Sequence, residues 1–144
     1  MSFNLPTETI ELPSKGLLYP EGHPLSNGTI EIKYMTAKEE DILTNQNYIS
    51  NGTVLDKLLK SLIITEFDYN DLVIGDKNAV MIAARILGYG AEYKFQHKGI
   101  EETVDLSEID NRPLDESLYI KGQNEFSFKL PTSDNTITFK FLTH

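Results

Sequence analysis

Three histidines, His23, His97 and His144, are the side chains in this sequence best suited to moving a proton or activating a nucleophile. That chemistry needs a serine or cysteine and a carboxylate arranged around the imidazole, and none of the three stands in a recognisable Ser/His/Asp or Cys/His context. His23, between Gly22 and Pro24, reads as a surface turn residue, and His97 falls at the tip of an expected hairpin. A small enzyme would need His23, Arg85 and acidic groups gathered in one pocket. Metal binding has two weak candidates. Asp68-Tyr69-Asn70-Asp71 matches only the opening of a calcium loop, and the glycine and distal glutamate of that pattern are misplaced. A capping and turn role fits it better. Glu101, Glu102 and Asp105 could converge on a cation, but strand alternation puts Glu101 and Glu102 on opposite faces. Gly88-Tyr89-Gly90 follows a helical pattern, whereas a phosphate cradle needs glycine before one, so it reads as a helix stop. Asn27-Gly28-Thr29 and Asn51-Gly52-Thr53 match glycosylation acceptors and are well explained as turns.

The totals narrow the classes further. The chain has 144 residues, a formal charge of −9 and no cysteine. That length suits one domain, 1–144. Lack of cysteine excludes disulfides and thiolate zinc sites. The acidic balance repels nucleic-acid phosphates and anionic lipid. No apolar run approaches the roughly 18 residues of a membrane span. Met1-Ser2-Phe3-Asn4-Leu5-Pro6 has neither the basic nor the apolar part of a secretion leader.

Strand-rich ends around a helical middle would position whatever site exists. Residues 7–12 and 29–35 alternate as strands. Between them Leu12-Pro13-Ser14-Lys15-Gly16-Leu17-Leu18-Tyr19-Pro20 reads as an ordered loop. Its apolar residues are either tucked into the domain or offered to a partner as a preordered patch. Thr36-Ala37-Lys38-Glu39 is a capping-box pattern opening a thinly apolar, mostly wet helix over 37–46. Thr53 can cap a second over 54–64, where Val54, Leu55, Leu58, Leu59, Leu62 and Ile63 form one stripe and Asp56 and Lys60 sit four apart on the polar side. Asp76 is placed as N-cap of a third over 77–87, stopped by Gly88, with Arg85 partly buried. Hairpins follow at 92–97/100–105 and at 126–130/137–141. The spacing predicts an α+β domain with three central helices packed against antiparallel β-hairpins, a helical core over 36–90 and a β-rich part over 91–144.

Several blocks carry a resemblance. They are Leu12–Pro20, Lys33-Tyr34-Met35-Thr36-Ala37-Lys38-Glu39-Glu40-Asp41-Ile42-Leu43, Leu55-Asp56-Lys57-Leu58-Leu59, Gly75-Asp76-Lys77-Asn78 and Ala83-Ala84-Arg85-Ile86-Leu87-Gly88-Tyr89-Gly90. In this order they resemble the T-even-type phage baseplate protein family. The resemblance implies a role in tail morphogenesis as an assembly chaperone of the baseplate hub, acting by protein binding without catalysis or cofactor. An alternative is a structural subunit retained in the mature hub. Implied partners are baseplate hub proteins and the tape-measure protein, in the host bacterial cytoplasm during assembly or in the virion baseplate. Relatives are implied to be longer, which makes this chain an expected N-terminal fragment. Some are implied to carry cysteine pairs, as in a zinc ribbon, where this chain has its 92–105 hairpin; no zinc carries over. The binding residues expected on this reading are Lys15, Leu17, Leu18 and Tyr19 of the loop, with Lys38, Glu39, Glu40 and Asp41 on the exposed first helix. Leu17 and Tyr19 would be anchors and the charges would set specificity.

Overall fold

The computed structural model describes residues 5–144, so Met1–Asn4, on which part of the leader reading rests, lie outside the described residues. Alternation of β-branched and polar residues gives β1 (Thr7–Glu11) and β2 (Thr29–Lys33), paired antiparallel with Ile10 opposite Ile30. The connection between them folds as consecutive tight turns, and Leu12 N–H donates to the Gly28 carbonyl at 2.8 Å to close it. Gly16 (φ +77°) and Gly28 (φ +81°) are required there: a Cβ on Gly16 would sit 2.6 Å from the Gly28 nitrogen, inside the backbone crossing.

That connection fills the core. Leu12, Leu18, Tyr19 and Leu25 are buried with Ile30 and Ile32 of β2 and with Leu59, Leu72, Val73 and Val80 from the helical part. The two alternatives for the loop are thereby resolved: its apolar residues, Leu17 excepted, are tucked in.

Four helices follow: α1 (Ala37–Thr44), α2 (Gln46–Ser50), α3 (Val54–Leu62) and α4 (Ile74–Tyr89). The single expected helix over 37–46 is broken at Asn45, whose side chain accepts from the amides of Asn47 and Tyr48 and starts α2. Leu58 and Leu62 of α3 and Ala84 of α4 form a second core, against which Met35, Ile42 and Leu43 pack. Leu55, expected in the buried stripe, is 48% exposed. Asp56 pairs with Lys77 of α4 at 2.7 Å rather than with Lys60, whose ammonium lies over the Tyr69 ring.

Both ends of α4 correct the sequence reading. Its N-cap is Val73, and Asp76 lies within the first turn, held toward the interior by Ser14 and Tyr19. Gly88 does not stop the helix. It makes room for Met35, whose sulfur would stand 2.7 Å from a Cβ there, while Gly90, at φ +85°, is the residue after the last turn.

The last third is two further hairpins, β3 (Glu92–His97) with β4 (Ile100–Asp105), and β5 (Phe126–Lys129) with β6 (Thr136–Phe139). Each of the three hairpins is its own two-stranded sheet. The fold is α+β, as expected from the spacing.

Candidate interaction surface

The residues singled out for chemistry or binding sort by burial. Asp76 is 1% exposed. Its Oδ2 accepts from the hydroxyls of Ser14 and Tyr19, both at 2.6 Å, and its Oδ1 accepts from the Ser14 amide at 3.0 Å. The Tyr19 oxygen in turn accepts from the Val73 amide at 3.2 Å. Burial, and next the Asp76 carboxylate, push the Tyr19 phenol above its ordinary value, so it stays a donor. Tyr19 is therefore a core residue that locks the loop to the start of α4. It cannot be an anchor for a partner, and Leu18, 7% exposed, cannot either.

Glu39 overturns the expectation of an exposed acidic helix in the same way. The capping box forms, with the Thr36 amide donating to Glu39 Oε2 at 2.9 Å. The carboxylate is also fully buried and accepts from Lys33 Nζ of β2 at 2.7 Å and Ser61 Oγ of α3 at 2.5 Å. Burial alone would raise its pKa. Hydrogen bonds from Lys33, Ser61 and Thr36 outweigh that and bring it down to about 2. Of the expected binding residues, Lys15, Lys38, Glu40 and Asp41 are exposed and Leu17 is half-buried. Lys15 is engaged with Glu116 at 2.8 Å. Of the apolar residues expected as anchors, Leu17 alone keeps part of its surface exposed.

Both ring nitrogens of His23 are engaged. Nδ1 accepts from the Leu25 amide at 3.1 Å, which leaves the hydrogen on Nε2, 3.2 Å from Asp71 Oδ2. The ring stacks on Tyr19 with centroids 5.1 Å apart. Arg85 lies elsewhere, donating to the carbonyls of Gly90 and Glu92 with its guanidinium over Tyr89 and Tyr93. The two therefore line different cavities. Asp68 caps a turn by accepting from the Asn70 amide, as its turn reading requires. His144 packs edge-on against Tyr69, 3.2 Å from Lys77 Nζ. Among the described residues no group of three or more His, Asp or Glu could hold a metal ion, and no helix is long and apolar enough to cross a membrane.

What the molecule does present is apolar surface on its last two hairpins. Opposed residues of an antiparallel pair share a face. Tyr93, Phe95 and His97 of β3 therefore lie with Val104, Glu102 and Ile100 of β4, and every residue of both strands is exposed. Hydrophobic pairing in this hairpin is confined to one face and leaves Phe95 37% and Ile100 64% exposed. On the last hairpin, Phe126 and Phe128 lie with Phe139 and Ile137. Phe126 packs on Tyr119 and the core, while Phe128, Ile137 and Phe139 stay about half exposed. The signal for this is in the sequence: aromatics alternate with polar residues at 126–128 and 137–141.

No family model, curated protein or solved structure matches the chain. Its fold and surface are those of an α+β chain with a buried core and two exposed apolar hairpin faces.

Proposed function

We propose that this chain is an assembly factor of a contractile phage tail, acting in construction of the baseplate hub by binding other proteins and performing no chemistry. The observation that carries the reading is the row of exposed aromatic and aliphatic side chains on the two C-terminal hairpins. A two-stranded hairpin is marginal alone in water and gains from a further layer, and large exposed apolar faces mark interaction sites. The resemblance of the blocks between residues 12 and 90 to T-even-type baseplate proteins supports the setting. The chemically capable groups Asp76, Glu39 and His23 are already committed to bonds within the chain, which supports binding over catalysis. Hub subunits and the tape-measure protein are the proposed partners, met in the host bacterial cytoplasm during assembly.

The reading moves the binding residues from the loop to the hairpins. Replacing Phe128 and Phe139 with serine removes apolar surface that is about half exposed. In cells infected by a phage that depends on this chain, the double variant is expected to stop tail completion while its thermal unfolding stays within a few degrees of the parent. Finished tails at normal yield, counted by electron microscopy and made with the folded variant, would contradict it.

A further inference from the structure

The β3–β4 face has a feature that a merely greasy surface would lack. Glu102 stands directly opposite Phe95, in the middle of a face otherwise made of Tyr93, His97, Ile100 and Val104. Among the described residues no cation pairs with it: Lys94 is nearest to Glu92 on the opposite face, at 3.5 Å. From 92 to 110 the sequence carries six carboxylates against Lys94 and Lys98. Through Tyr93, stacked on Phe95, the face continues into a groove of about 450 Å³ against α4, lined by Met81, Ile82, Arg85 and Leu106. Arg85 supplies the positive charge at that end, and its guanidinium is held by backbone carbonyls.

We infer that this hairpin face and its groove form a docking site for a basic, amphipathic polypeptide segment of another protein, which lays apolar side chains over Tyr93 and Phe95 and a lysine or arginine on Glu102. Charge decides among the occupants. A second copy would bring another acidic strip against this one, on a chain that already carries −9. An anionic lipid surface is repelled for the same reason. A basic segment turns the embedded carboxylate from a desolvation penalty into a paired charge. Six residues of strand span about 20 Å, which a helix of roughly 13 residues covers, with anchors at i, i+3, i+4 and i+7. The inference deepens the protein-binding reading and rests on it, but it can fail while the tail-completion result stands.

The test titrates the full chain into a fluorescent 18-residue helical peptide of leucine and lysine, and into its counterpart with glutamate for lysine. The lysine peptide is expected to bind at least tenfold more tightly. Glu102→Lys should weaken it about tenfold and reverse the preference between peptides, whereas Glu66→Lys, an equal change of net charge elsewhere, should shift it less than threefold. Amide NMR shifts should concentrate at residues 81–106. Equal affinity for the two peptides, equal effects of the two substitutions, or shifts centred outside those residues would overturn the inference. So would self-association in sedimentation that moves the Tyr93 and Phe95 signals, or flotation of the chain with phosphatidylglycerol vesicles.

Discussion

Replacing Glu39 with alanine is expected to lower the unfolding free energy by about 3–5 kcal/mol at neutral pH, the range for breaking a buried ion pair by removing one partner. The substitution strands more than an ammonium. Lys33 comes from β2, Ser61 from α3 and Thr36 from the cap of α1, so one carboxylate ties three elements together. Without it Lys33, only 16% exposed, keeps its charge in a poorly solvated place, and the Thr36 amide loses its half of the capping box. Urea unfolding measures the loss. The same residue fixes an acid limb. Its folded-state pKa is depressed, so the folded state binds this proton less readily than the unfolded chain. The stability it contributes is therefore complete above the ordinary glutamate value, about 4.3. It drains away as pH falls through that value toward about 2. Glu39→Gln cannot titrate. Its stability profile is expected to be flatter over that window, and a profile as steep as the parent's would show that another carboxylate is responsible.

The second large effect is expected at Asp76. Its replacement by alanine leaves the Ser14 amide, the Ser14 hydroxyl and the Tyr19 hydroxyl without their acceptor in the interior. Each buried donor left unsatisfied costs roughly 1–3 kcal/mol, and hydroxyls recover part of this by rotating. A total of about 3–4 kcal/mol is expected. Asparagine should cost less than alanine but not be neutral: with its oxygen on the Ser14 N–H, its NH2 faces the two hydroxyls, which can accept from it but lose the acceptor for their own hydrogens. Tyr19→Phe in the parent should cost about 1–2 kcal/mol, and less in an Asp76→Ala background, where only the Val73 amide still loses an acceptor. Equal Tyr19→Phe costs in both backgrounds, from a double-mutant cycle, would mean the two side chains act independently.

These residues also separate what is local in the sequence from what depends on the tertiary fold. The Thr36–Glu39 box is a local pattern and forms as read. Burial of Glu39 depends on partners 6 and 22 residues away, which no local pattern encodes. Asp76 resembles a cap because caps are recognised by type and position. Its actual role depends on Ser14, 62 residues distant. The 92–97/100–105 hairpin has the limits expected of it because alternation around Lys98-Gly99 is sufficient to set a register. Its lack of a covering layer is a tertiary fact. The loop residues Leu18 and Tyr19, open in sequence between core and patch, belong to the core because the Gly16–Gly28 crossing folds them back under β2. Of the two alternatives open for the loop the crossing selects the core, and the exposed aromatics are those that alternate in the last third.

Amide hydrogen exchange, measured on the chain alone and again with the leucine–lysine peptide, tests most directly whether the core stands by itself while the β3–β4 face awaits a partner. The amides of Leu59, Leu72 and Val80 should exchange only by global unfolding in both samples, while those of β3 and β4 exchange orders of magnitude faster alone and slow at least tenfold with the peptide. Hairpin amides as protected as the core in the free chain, or indifferent to the peptide, would contradict the account.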